Sequence, residues 1–261
     1  ALANDLVWAD FDMVSRANNH TGDYGVLGMD LTTQHVAAVG IVQAGVGSSL
    51  AEAREAKFLE TAKARVALIS ISSSFANHMR AGRSRDNVPA RPGLNPLRYE
   101  TTYVMPEGEF ESLRQTGESL GQFIDMDGNP RGTDEEKPGE MEIFGRNFAI
   151  GDEHVIRMET NADDVQEITA IVNNASRIAD FTIVTIHAHE YDRRRDLSPE
   201  FLHVFARAMA PGSPEAAAWT ENRGGRAPDR PLSLFEGVAG AMLFAEALLE
   251  PGKGRFPLVE V

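Results

Sequence analysis

Apolar residues recur at helical spacing in several stretches of the chain, and between them lie short strand-like runs. Leu2, Leu6, Val7 and Phe11 follow a helical period from the first residue onward, so residues 1 to 9 read as the end of a helix. Asp12 to Ala17 is a short strand running into the polar stretch Asn18-Asn19-His20-Thr21-Gly22-Asp23. Asp23 is placed to cap the next helix, which takes Val26, Leu27, Met29, Leu31, Val36 and Val39 as apolar positions and ends at Gly40. Ile41 to Ala44 is then a second strand. This β, α, β succession fits within about thirty residues, the size of one crossover unit. Ser49 is a suitable N-cap for a short helix through Ala56, and Phe58–Thr61 with Val66–Ser72 flank Lys63-Ala64 as a hairpin.

Between Ser73 and Arg98 the composition turns to Ser, Asn, Arg, Pro and Gly, and Pro89, Pro92 and Pro96 block regular structure; 73–98 is expected to be an exposed insertion. A helix is expected from Glu107 to Phe123, and a second exposed insertion over 125–140, where charge and glycine leave no apolar face. Ala162 to Ala179 carries Val165, Ile168, Ile171, Val172 and Ile178 at helical spacing. Phe181 to Ile186 is a β-branched run suited to a buried parallel strand. That strand ends at His187-Ala188-His189-Glu190, and Pro199 opens a further helix with Phe201, Leu202, Phe205 and Met209 on one face. After residue 210 the pattern weakens, with a Pro- and Gly-rich stretch to Pro231 and an apolar segment, Leu234 to Leu249, that suits helix or strand equally. The chain reads as a single domain over 1–261.

Composition removes several function classes. The 261 residues are 42% hydrophobic, enough for a core, while 39 acidic against 25 basic side chains give a net charge of −14. Such a chain repels a phosphate backbone, so nucleic acid is not an expected partner. No apolar run reaches the ~18 residues of a membrane span, and no basic leader precedes the first apolar residues; a cytoplasmic location is favoured. There is no cysteine, so a metal would be held by His, Asp, Glu or Asn.

Two His-bearing clusters stand just past probable strands: Asn19 and His20 after one, His187, His189 and Glu190 after the other. In open α/β sheets, sites form at the carboxyl ends of strands, so both clusters fall on one rim. Imidazole with amide or carboxylate oxygen suits a divalent ion, with manganese, zinc, iron, magnesium and calcium all open. His187 and His189 alternate along a strand end and share a face. Glu190 reads as an orienting partner for a histidine, and Arg193, first of three consecutive arginines, as a holder of an anionic substrate or a solvated surface charge. His35, His78, His154 and His203 are read as structural. Asp125-Met126-Asp127-Gly128-Asn129 lacks the downstream spacing of a calcium loop, and neither a dinucleotide fingerprint, a phosphate loop nor a Gly-x-Ser-x-Gly elbow is present.

The run Phe11-Asp12-Met13-Val14-Ser15-Arg16-Ala17-Asn18-Asn19-His20-Thr21-Gly22-Asp23-Tyr24-Gly25 resembles the bacterial CapA/PgsA family of capsule or poly-γ-glutamate synthesis proteins. The resemblance continues through Gly40 to Gly47, the Ala51–Arg54 helix, Val66 to Ser70 and Arg91 to Arg98, and returns at Thr185 to Glu190. It implies an α/β fold, a four-layer α/β/β/α sandwich of the calcineurin-like metallophosphoesterase type, with two divalent metal ions at one rim. By that resemblance Asn19 and His187 are metal ligands and His20 is the acid/base or substrate-facing histidine; His189 stands beside them as a second catalytic candidate.

The family's Gly-Asp and Asn-Leu-Glu motifs, expected upstream of Asn18, and its Gly-His-x-Pro-His motif, expected after Met209, are absent; the chain reads as part of a longer protein. The function expected is a metal-dependent enzyme acting on a peptide, polyglutamate or phosphoester by hydrolysis or acid/base chemistry, with a homo-oligomer possible. The alternatives are a metal-dependent peptide epimerase, which removes and returns an α-proton, and a non-catalytic assembly component of polymer synthesis.

Overall fold

The computed structural model describes residues 2–124 and 138–189, which form a mixed α/β fold of two compact units, 2–98 with 162–189 and 99–161. Glu190, Arg193 and His203 lie outside the described residues, as do most of the 125–140 insertion and everything past residue 189.

The first unit begins with α1 (Leu2–Trp8), β1 (Met13–Ser15), α2 (Gly25–Ala38) and β2 (Val42–Ala44). β1 and β2 pair in parallel with Ser15 opposite Ala44, the crossover unit read from the sequence. Gly40 closes α2 with φ +79°, the left-handed conformation that glycine adopts without strain. Asp23 does not cap α2: the N-cap is Tyr24, without a side-chain bond, and the Asp23 carboxylate turns to His20 instead.

After β3 (Val46–Gly47) comes α3 (Leu50–Arg54), then the antiparallel pair β4 (Lys57–Glu60) and β5 (Arg65–Ser72). Ser49 caps α3, its hydroxyl accepting from the Glu52 N–H at 3.2 Å, while the Glu52 carboxylate accepts from the Ser48 N–H at 2.8 Å. Each satisfies a donor the first turn leaves open. Ser49→Ala should therefore lower stability by about 1 kcal/mol, read as a shift of the urea midpoint with unchanged slope.

Most of β5 is buried, with Ala67, Leu68, Ile69 and Ile71 at its centre. It pairs in parallel with β11 (Phe181–His187), giving the order β11-β5-β4. The helix α5 (Ala162–Ser176) turns Ile168, Val172 and Ala175 into the core. The two sheets face each other through hydroxyls: Ser15 Oγ lies 2.7 Å from Ser70 Oγ and 2.9 Å from Thr185 Oγ1.

The stretch 73–98 has little regular structure, as its prolines require, but it does not simply lie on the surface. β6 (Gly93–Leu94) pairs with β3, and Leu94, Asn95 and Leu97 are fully buried. Asn95 is satisfied there: its Nδ2 donates to Ser70 O at 3.0 Å and its Oδ1 accepts from Arg54 Nε at 3.2 Å.

The second unit holds a four-stranded sheet in the order β10-β7-β9-β8, from β7 (Tyr99–Met105), β8 (Glu140–Ile143), β9 (Arg146–Ile150) and β10 (Val155–Thr160). β7 and β9 are parallel and the other pairs antiparallel. The helix α4 (Glu107–Ser119) brings Phe110 against Met141 and Ile143, with Met105, Leu113, Phe123 and Phe148 around them. These strands are absent from the sequence reading. Among the described residues no helix is long and apolar enough to cross a membrane.

Candidate functional site

β1 and β11 each run into the rim at their carboxyl ends, β1 into the loop 16–25 and β11 into His187-Ala188-His189. The loop is wound tight by its own side chains. Asn18 Oδ1 accepts from His20 N at 2.9 Å, Thr21 Oγ1 accepts from Asn18 N at 3.0 Å, and the Thr21 hydroxyl donates to Arg16 O at 2.6 Å. Asn18 and Thr21 are thus consumed in holding the turn. Asn19 is left to reach across: its Oδ1 lies 3.0 Å from His187 Nε2, although 168 residues separate them.

The histidine segment is fastened from the other side by the end of β5. Ser73 N donates to His187 O at 3.0 Å, Ser72 Oγ donates to the same carbonyl at 3.2 Å, and Ser74 Oγ accepts from His189 N at 2.7 Å. With its backbone held, the segment turns both rings the same way. The His187 and His189 rings meet edge to face with centroids 4.5 Å apart, and their Nε2 atoms are 2.9 Å apart. His187 Nε2 thus stands within 3.0 Å of both Asn19 Oδ1 and His189 Nε2. Among the described residues no three His, Cys, Asp or Glu side chains come together, so the third donor of this cluster is an amide oxygen.

His20 stands beside the trio without touching it. Its Nδ1 is 2.9 Å from Asp23 Oδ2, and its side chain is 75% exposed, so the Asp23 carboxylate fixes the ring from one side while the rest faces solvent. Among the other histidines, His154 Nε2 contacts Glu109 Oε2 at 2.8 Å in the second unit, His35 ends α2 and His78 sits in a short 3₁₀ turn.

Sequence reasoning missed the serines. Ser70 Oγ accepts from Ala17 N at 3.1 Å, just before the loop, and it packs on Gly45, whose φ is +99°. A Cβ at Gly45 would lie 2.7 Å from Ser70 Cβ and 2.9 Å from Ala17 Cβ. Gly45→Ala should thus cost about 1–3 kcal/mol through crowding and a disfavoured backbone, measured by denaturant unfolding. The run Ser70-Ile71-Ser72-Ser73-Ser74 was the available signal: hydroxyls in an otherwise apolar strand need partners.

Also missed is a buried charge cluster away from the rim. Asp164, fully buried in the first turn of α5, is bound by Arg98 through Nε at 2.7 Å and Nη2 at 2.8 Å, and by Arg54 Nη2. Arg54 also meets Glu167, which Arg83 binds from outside. Burial works to raise the Asp164 pKa, but the hydrogen bonds of Arg98 and Arg54 prevail and hold it below the usual carboxylate range.

Two proteins of Sinorhizobium fredii (strain NBRC 101917 / NGR234), the uncharacterized proteins y4sH and y4uA, are each 34% identical to this chain over 215 residues, 82% of this chain and 45% of their own. The chain thus spans less than half the length of these curated relatives. The glutathione S-transferase LANCL1 of Danio rerio is 48% identical over 48 residues, 17% of this chain and 12% of its own, too short a stretch to bear on the rim. The family model of the bacterial capsule synthesis protein PGA_cap matches residues 1–210, a span that holds both halves of the rim, and the chain belongs to that family.

Proposed function

We propose that the chain is a metal-dependent enzyme of the capsule-synthesis type, acting on a peptide, polyglutamate or phosphoester at the rim where Asn19, His187 and His189 meet. The observation that carries this reading is the convergence of Asn19 Oδ1 and two Nε2 atoms at separations of 3.0 and 2.9 Å. Hydrogen bonding alone does not account for it. His187 Nε2 bears either one hydrogen or one lone pair, and neither serves Asn19 Oδ1 and His189 Nε2 together. Three lone pairs around a cation do, since neighbouring ligands about 2.1 Å from an octahedral ion, at right angles, lie about 3.0 Å apart. A second ion would draw its donors from outside this trio.

A bound divalent ion would activate water or polarise a carbonyl or phosphoryl oxygen. The chain's own residues supply the rest. Asn19, His187 and His189 would hold the ion, and His20, steadied by Asp23, exchanges a proton with the bound substrate. The facing sheets, with α2 contacting β2 through Gln43 Nε2 to Thr33 O at 2.8 Å and α5 burying Ile168 and Val172, support a four-layer α/β/β/α sandwich.

The exposed His20–Asp23 pair also favours a second reading, peptide epimerisation, because an oriented imidazole serves the return of an α-proton as well as the protonation of a leaving group. Incubation of the protein with manganese and a poly-γ-glutamate oligomer in heavy water separates the two. Cleaved product without α-deuterium supports hydrolysis, α-deuterium in uncleaved chain supports epimerisation, and neither product with any peptide or phosphoester tried contradicts the enzyme reading.

A further inference from the structure

A cavity of about 320 Å³ opens in the first unit, lined by Arg16 just past β1, by Ile41 and by residues of α2, β2, β3, α3 and β4, none of which belongs to the Asn19–His187–His189 cluster. Ala37, Ile41, Val42, Val46 and Phe58 make about half of its wall apolar, and Arg16 supplies a guanidinium on the polar side. The surroundings of Arg16 differ from those of the ion-paired arginines. Arg54, Arg65, Arg83, Arg98, Arg114 and Arg157 each meet a carboxylate. Arg16 instead donates through Nη1 to Thr33 Oγ1 at 3.3 Å and to Gln43 Oε1, and through Nη2 to Met29 O at 3.2 Å, all neutral acceptors.

Three of its five N–H groups are used in this way, leaving the Nε–H and one Nη2–H without an acceptor among the described residues. Two other charged residues line the cavity, and both are already engaged: Lys57 Nζ pairs with Glu55 at 2.6 Å, and the Glu52 carboxylate accepts from Ser48 N at 2.8 Å. Burial holds the Arg16 pKa below its ordinary value, as expected for a half-buried cation with no carboxylate among its described partners.

We infer that this cavity is a binding site for a small carboxylate with a short apolar body, its anionic group taken by the guanidinium of Arg16 and its hydrocarbon part laid against Ile41, Val42 and Phe58. Size, wall and charge each constrain the ligand. The volume lies at the lower end for small-molecule sites, which favours a small ligand, and the apolar half of the wall favours one with a carbon chain over a bare inorganic ion. A guanidinium with N–H groups to spare matches a carboxylate in charge and hydrogen-bond capacity. Filling the site would supply the counter-charge that the described residues do not place at Arg16.

The test is titration of the whole chain with sodium butanoate, butylamine and inorganic phosphate, followed by calorimetry and by NMR of the Val42 and Ala44 amides. Saturable one-to-one binding of butanoate is expected, tighter than phosphate and absent for butylamine. Two variants separate binding from folding: Arg16→Gln removes the charge, and Ala37→Phe, at an exposed helix position, fills the cavity and leaves Arg16 in place. Each should weaken butanoate at least about tenfold while the circular dichroism spectrum is kept. No saturable butanoate binding up to about 50 mM, equal binding of butanoate and phosphate, or unchanged affinity in Ala37→Phe would overturn the assignment.

Discussion

Asp164→Ala should destabilise the protein by about 3–5 kcal/mol, the largest loss expected from any single change considered. The reason is the charge left behind. Arg54 is 2% exposed, and without Asp164 its guanidinium keeps only Asn95, Pro96 O and the half-exposed Glu167 around it. Arg98 loses two side-chain bonds and its backbone N–H loses the acceptor it had at 2.9 Å. Asp164→Asn keeps the volume and some of these bonds but removes the charge, so it should fall between the wild type and alanine. The pH dependence follows from the depressed Asp164 pKa. Its contribution is complete above the unfolded carboxylate value of about 3.9 and disappears as pH falls through the lower folded value. The stability gap between wild type and Asp164→Asn should therefore be constant near neutrality and narrow only in strong acid, as followed by urea unfolding at successive pH values.

His187→Ala should behave in the opposite way: nearly silent in folding and severe at the site. The backbone of residue 187 is held by Ser72 and Ser73 through its carbonyl, which the substitution leaves intact. Unfolding of the metal-free variant should differ from wild type by no more than about 1 kcal/mol. Divalent metal affinity should fall by more than the roughly 10–100-fold that loss of an outer partner costs, because Nε2 of His187 is the atom that faces both Asn19 and His189. Calorimetric titration with manganese or zinc, run beside Ser74→Ala as a control on the supporting shell, measures the difference. An affinity unchanged in His187→Ala would remove this residue from the metal site.

How far the fold was legible depends on the range over which its determinants act. β1, α2 and β2 were visible because apolar spacing, a closing Gly40 and a short crossover all lie within one segment. The β4–β5 hairpin and the Ser49 cap are equally local. The sheet of the second unit was not visible. Tyr99–Met105 must pair with Val155–Thr160 and Arg146–Ile150, some fifty residues away, and alternating runs such as Glu140-Met141-Glu142-Ile143 are too short to stand out. The buried run Leu94-Asn95-Pro96-Leu97 was masked by its prolines, which mark irregular backbone but carry no information about depth.

The rim was legible in part for the same reason. Both histidine clusters follow strands, and the rule that parallel strands present their carboxyl ends to one edge points to one rim, but β1 and β11 lie in different sheets, and only the packing of those sheets brings Asn19 to His187. What supports the cluster was hidden, since Ser70, Ser72 and Ser74 have no signature beyond an unusual number of hydroxyls in one strand. Asp23 was misassigned because an acidic residue just before a helix is usually a cap; here His20, three residues back, takes its carboxylate. Glu190 and Arg193 remain assigned by sequence alone.

We propose that Asn19 Oδ1, His187 Nε2 and His189 Nε2 share one cation. Anomalous diffraction from crystals of the protein grown with manganese or zinc, collected at that metal's absorption edge, tests it most directly. The account predicts one strong peak within about 2.0–2.3 Å of the three atoms, lost in His187→Ala crystals. A fully loaded crystal with no anomalous peak at that point, or with its peak among other residues, would contradict it.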